Sequence, residues 1–262
     1  MKNTLITLSA FLFLMSCDTQ PKETETNDQT ETTKAEPVVL SKSDQLINDA
    51  IVAHGGDLYK TAAYSFTFRG KEYSVKNENE NFSYSVKSES DNGQVTIDVL
   101  TNDSFKRTVD GVDVSLTTEE ESKYSNGLNS VIYFALLPYK LNDASVHTQY
   151  VEETTIKGEK YDLVAISFAK EGGGQDHDDE YAYWINQKDK KIDYFAYNYR
   201  VNGGGARFRS ALNRSVVDGI TFQDYINWEV SFETPLKDIP ALFEKEELKE
   251  ASRIVTSAIT RL

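Results

Sequence analysis

The sequence predicts an α+β fold that is mostly antiparallel β, a curved meander sheet (an incomplete β-barrel) wrapped around helices. Three observations point there. Segments of β-type residues with rough apolar alternation follow one another with only tight turns between them. Helical spacing shows near the start of the folding region, in its middle and at its end. Regular alternation of strand and helix is missing, which argues against the parallel Rossmann and TIM-barrel arrangements.

The 262-residue chain begins "MKNTLITLSAFLFLMSC". Lys2, the apolar run Leu5 to Met15 and the small Ser16 before Cys17 make a secretory signal peptide over residues 1–16. The run is too short for a membrane span, which needs roughly 20 apolar residues. "LMSC" has the spacing of a lipobox, so Cys17, the sole cysteine, is expected to carry the lipid. Acyl chains contribute about 0.8 kcal/mol per buried CH₂ and would anchor the chain to the outer or inner membrane of the cell envelope. The domain would face the periplasm or the cell surface. Residues 17–40 are rich in Thr, Glu, Asp and Lys and read as a disordered tether. Twenty such residues span roughly 25 Å.

Residues 41–262 read as one domain. "SKSDQLINDAIVAHGG" predicts an amphipathic helix capped by Ser43 and stopped at Gly55 and Gly56. Strands are expected in "YSFTFRGKEYSV", "NFSYSVKSES", "QVTIDVLT", "SFKRTV" and "DVSLT". A helix is expected from Thr118 to about Ala135, closed by Pro138. Strands resume in "ASVHTQYVEETTI" and "EKYDLVAISFAK", joined at Lys157-Gly158. "ITFQDYINWEVSF" alternates strictly enough to predict one buried and one wet face, with Asp224 a carboxylate on the buried parity. The stretch after Pro235 reads mostly as a C-terminal helix.

Acidic residues outnumber basic ones 42 to 28, for a formal charge of −14. Such a surface repels nucleic-acid phosphate, and no nucleic-acid partner is expected. No Ser-His-Asp order, HExxH or CxxC pattern occurs, so no catalytic residue is assigned, no cofactor is expected and an enzyme is the less favoured reading.

Two triple-glycine stretches, "KEGGGQDHDDE" and "VNGGGARFR", lie between strand-like segments. A phosphate cradle needs a helix after the glycines, and here a strand follows. In a meander the two loops share one rim, roughly 10 Å apart at about 4.8 Å per strand. That would bring Asp176, His177 and Asp178 near Arg200, Arg207 and Arg209. The cluster reads as a solvated acidic loop, as a ligand-binding rim built on bidentate guanidinium contacts, or as a weak hard-cation site of Asp176, Asp178 and Asp179. No metal is assigned. The aromatic run Tyr194, Phe195, Tyr197, Tyr199 adds Tyr197 as a ligand-binding candidate, and Asp224 is another. His54 ends a helix, where a cation complements the dipole.

The lipobox, the Thr/Glu tether, "AHGG", "LLPYKLND", "YWIN" and "GGGARFR" together resemble a family of Bacteroidota lipoproteins without an assigned activity. The helix–meander–helix–meander layout is also similar to lipoprotein carriers of the LolA/LolB type. That resemblance implies a half-barrel with an apolar cavity for acyl chains. The leading functional expectation is therefore a membrane-anchored lipoprotein holding a lipid or other amphipathic or small ligand in the concave face of its sheet. The alternatives are a hydrolase with His177 as base and Arg207 or Arg209 holding an anion, and a scaffolding lipoprotein with a filled interior.

Overall fold

The computed structural model describes residues 40–170, 179–199 and 204–262. The leader, Cys17 and the tether lie outside the described residues, as do Asp176, His177, Asp178 and Arg200.

Helix α1 (Lys42–His54) is capped by Ser41, whose hydroxyl accepts from the Asp44 N–H at 3.1 Å. The expected cap, Ser43, is instead buried, and its hydroxyl accepts from Thr148 Oγ1 at 2.8 Å. Leu46, Ile47 and Ala50 form the buried stripe. A 3₁₀ turn over Gly56–Thr61 then buries Tyr59. Six strands follow as hairpins: β1 (Ala63–Phe68), β2 (Lys71–Glu78), β3 (Asn81–Glu89), β4 (Val95–Thr101), β5 (Phe105–Val109) and β6 (Val112–Asp113). β1 and β2 read as one strand in sequence; left-handed Arg69 (φ 50°) and Gly70 (φ 73°) turn the chain between them.

Helix α2 (Thr118–Ala135) starts at a reciprocal capping box of Thr117 and Glu120. Strands β7 (Val146–Ile156), β8 (Glu159–Phe168), β9 (Tyr181–Asn186), β10 (Ile192–Tyr199), β11 (Gly205–Val217) and β12 (Ile220–Val230) make the second meander. The expected long C-terminal helix is not there. Only α3 (Ile239–Glu244) is helical, with Pro at its first turn and Glu246 left-handed (φ 60°) just beyond its end. The β-branched residues Ile254, Val255, Thr256, Ile259 and Thr260 beyond it favour extended backbone, while Lys249 to Arg253 are extended through pairing with β12. They form β13 (Lys249–Ile254) and β14 (Ser257–Arg261), which pair with the open edges of β12 and β1.

The result is two seven-stranded antiparallel sheets, ordered β14-β1-β2-β3-β4-β5-β6 and β13-β12-β11-β10-β9-β8-β7. β13 and β14 are consecutive in the chain and join the sheets at one corner. α2 and the turn after it separate β6 from β7, so the strip does not close into a barrel.

Three apolar clusters fill the layers. α1 covers the inner face of the second sheet through Ile47, Val164, Tyr183 and Phe195. α2 covers the inner face of the first sheet through Leu128, Ile132, Phe66 and Val75. α3 covers the outer face of the second sheet through Phe243, Trp184 and Phe208. The helices α1 and α2 thus lie between two sheets. This double cover explains β12: Ile220 to Tyr225 are all buried, on both parities, where alternation predicted one wet face. α1 docks through its C-terminal end, where Lys191 Nζ donates to the Ala53 carbonyl at 2.7 Å. Lys191, not His54, supplies the cation at that helix end. His54 is fully buried, its Nε2 accepts from the Ile192 N–H at 3.2 Å, and burial pushes its pKa down to about 3.

Candidate functional site

The inner face of β9, β10 and β11 is built by alternation. Cross-strand register aligns Tyr181 with Tyr197 and Tyr197 with Arg207, then Tyr183 with Phe195 and Phe195 with Arg209. Those side chains share one face, while Ala206, Phe208 and Ala196 belong to the core under α3. From the opposite side α2 contributes Val131, Phe134 and Ala135, and β1 contributes Phe66 and Phe68. Between them lies a cavity of about 420 Å³. Its far wall is Gln223, Tyr225, Ile254 and Thr256.

The walls are aromatic. Phe134 stacks on Phe195 at 5.7 Å, Tyr181 stacks on Tyr197 at 5.5 Å, and Tyr225 meets Phe195 edge-on at 5.2 Å. Arg209 sits among them, 8% exposed. Its guanidinium carbon lies 4.3 Å from the Phe134 centroid and 5.3 Å from that of Tyr197. Its Nη2 donates to the Tyr197 hydroxyl at 3.0 Å, and its Nε is buried with no partner. Among the described residues no carboxylate reaches ion-pair distance of it.

Nearer the end of β10, Arg207 lies over the Tyr199 ring at 5.3 Å and donates to the Ala206 carbonyl at 2.8 Å. Arg69 and Asp179 flank the same end of the cavity. The glycine stretch before Arg207 has a steric role here. Gly204 is left-handed (φ 73°), and a Cβ at Gly205 would stand 2.5 Å from the Tyr199 hydroxyl. Gly205 is thus the residue that lets Tyr199 fold across its own hairpin.

The residues expected at the site are therefore divided. Tyr197, Arg207 and Arg209 line one cavity, and Arg209 is inside it rather than on an outer rim. The strand ends Tyr181, Tyr199 and Gly205 lie at one end of the second sheet, since Tyr181 pairs with Tyr197 and Tyr199 with Gly205, while residues 171–178 and 200–203 of the two glycine stretches lie outside the described residues. Asp179 reaches the cavity, while Asp176, His177, Asp178 and Arg200 lie outside the described residues. Among the described residues no group of three or more His, Cys, Asp and Glu could hold a metal ion. Asp224 is turned away from the cavity. It accepts from the Thr256 N–H at 2.8 Å and from Asn213 Nδ2 at 3.2 Å, tying the corner between β13 and β14 to β12.

Phe134, Val131 and Tyr225 were not singled out in sequence. A helical stretch such as "SVIYFALL" gives no sign of which sheet it will cover. A second, larger groove of about 630 Å³ runs along the outer face of the second sheet. Several of its polar groups are engaged: Arg214 pairs with Asp193 at 2.6 Å and Trp228 Nε1 donates to Ser210 Oγ at 3.0 Å. The inner cavity, with its unmatched guanidinium, is the candidate site.

Two antiparallel sheets folded over helices, with an aromatic cavity between them, define a cavity-bearing double-sheet domain. The chain belongs to a family of unknown function, DUF6503, which it matches over residues 38–256. No curated protein matches it. Among solved structures it is similar to a LolA superfamily protein from Nitrosomonas europaea (10% identity, 85% of this chain and 94% of that one, TM-score 0.47). It is also similar to a DUF1329 family protein from Desulfovibrio piger (12% identity, 85% and 94%, TM-score 0.41). A third is the lipoprotein LppX from Mycobacterium tuberculosis (12% identity, 61% and 88%, TM-score 0.27).

Proposed function

We propose that this chain is a cell-envelope lipoprotein, anchored through Cys17, whose domain binds a lipid or other amphipathic ligand between its two sheets. The observation that carries the reading is the cavity under α2. Its 420 Å³ falls within the roughly 300–1,000 Å³ of small-ligand sites. Its walls combine aromatic and aliphatic side chains such as Phe66, Val131 and Phe134 with polar ones such as Arg207, Arg209 and Gln223, which suits an amphipathic ligand. The leader and Cys17 support the anchor, and the acidic tether supports a domain held off the membrane surface.

Native mass spectrometry of the purified protein, mixed with lipids from the cell envelope, tests the binding. A one-to-one adduct is expected, and Ala135→Trp, which fills the cavity from α2, should abolish it while circular dichroism stays unchanged. A protein that stays free of adducts under several conditions sinks the reading. The anchor is checked separately: Cys17→Ala should move the protein from the membrane to the soluble fraction.

A further inference from the structure

Resting on that reading of the cavity, we propose that the ligand is a single-chain amphiphile with an oxyanion head, and that the head is seated inside the cavity on Arg209 and Tyr197. A guanidinium carries five N–H donors. Arg209 directs one at the Tyr197 hydroxyl, and its buried Nε has no partner among the described residues. Burying a cation away from a counter-charge costs several kcal/mol, and one neutral hydrogen bond with cation–π contacts does not offset that. An oxyanion entering the cavity would supply the missing acceptors in bidentate form. The Tyr197 hydroxyl, already accepting from Arg209, has its own proton free to donate to the same oxyanion.

The cavity's size sets the rest of the ligand. At about 30 Å³ for a water-sized group, 420 Å³ holds roughly fourteen such groups. That suits one chain of about a dozen carbons with its head. The aromatic wall formed by Phe134, Phe66 and Tyr181 is where the chain would lie.

Carboxylate and phosphate monoester share this chemistry, so the experiment separates them. The purified protein is titrated calorimetrically with dodecanoate, dodecyl phosphate and dodecanol, and the titrations are repeated with Arg209→Met and Arg209→Lys. Charge-assisted hydrogen bonds contribute about 1.5–3 kcal/mol, or roughly 10- to 150-fold in affinity. One or both anions should therefore bind wild type at least ~10-fold more tightly than dodecanol. Whichever anion is tighter identifies the head. Arg209→Met should remove that preference while leaving dodecanol affinity unchanged, and Arg209→Lys should restore part of it. Equal affinity for the alcohol and both anions overturns the inference and leaves the cavity reading standing. Absence of binding by all three overturns both. The wild-type series decides the matter even if a variant does not fold.

Discussion

Two arginines face the helical layer from opposite sheets, and their surroundings differ in one respect. Arg107 on β5 is met by Asp98 on β4 through two hydrogen bonds, 2.6 and 2.7 Å long. Its guanidinium also lies 3.3 Å from the centroid of Tyr124 on α2. Arg209 on β11 has the same kind of aromatic cover, from Phe134 of the same helix, but a hydroxyl where Arg107 has a carboxylate. The side chains of Arg107 and Asp98 are 17% and 8% exposed. Similar burial with opposite pairing separates a structural ion pair from a buried cation with no carboxylate partner among the described residues. The first fixes β4 and β5 beneath α2. The second borders empty space.

The sharpest way to break this comparison is the same substitution at both places. Arg107→Met leaves Asp98 buried without its cation and should destabilise by about 3–5 kcal/mol. Arg209→Met removes a cation that has no counter-charge among the described residues, and the ligand-free protein should change by less than about 1 kcal/mol or become more stable. Urea denaturation of both variants measures this. Equal losses at the two positions would make Arg209 a structural residue.

A third basic group, His54, meets the same burial by staying neutral. Its pKa is pushed down to about 3 by burial first, then by Lys191 and Arg214. In the unfolded chain it titrates near 6.5, so between those values the unfolded state binds the proton that the folded state refuses. Its contribution is therefore fully present above pH 6.5 and is lost as pH falls toward 3. From pH 6.5 to pH 4 the loss should be about 3 kcal/mol, at 1.36 kcal/mol per unit. The measurement is unfolding free energy against pH for wild type and His54→Gln. The variant's curve should be flatter over that window by about this amount, and parallel curves would show that His54 takes up a proton without unfolding.

The three groups also mark what can be read from a one-dimensional chain. Strands, hairpin turns and the span of α2 are local, and their alternation, Asp-Gly pairs and capping residues announce them. That the strand ends Tyr181, Tyr199 and Gly205 share one end of a sheet follows from meander order alone. Which face of a strand meets a helix does not. Arg207 and Arg209 lie two residues apart on one face, yet only Arg209 is covered by Phe134, 75 residues away in sequence. The C-terminal strands were unreadable for a related reason. "EELKEASRIVTSAITRL" is compatible with helix until two unpaired sheet edges offer it hydrogen bonds.

Asp224 gives the finest test. Glu229, two residues from Asn227, is exposed and pairs with Lys249 at 3.4 Å; Asp224 is buried, three residues from Asn227, which pairs with Arg209 across the strands. Strand alternation puts it on the other side of β12, where it accepts from the Thr256 N–H and the Thr256 hydroxyl. If that is its role, Asp224→Ala should cost about 1–2 kcal/mol, the value of an orphaned buried donor. Amide exchange at Thr256 should quicken, because the chain crosses between the two sheets there without a strand partner. Affinity for an anionic amphiphile should stay as in wild type. A carboxylate that neutralised Arg209 would act the other way: its removal would tighten anion binding. The sign of the change in affinity, rather than its size, therefore tells whether Asp224 offsets the charge of Arg209 or only ties the corner between β13 and β14.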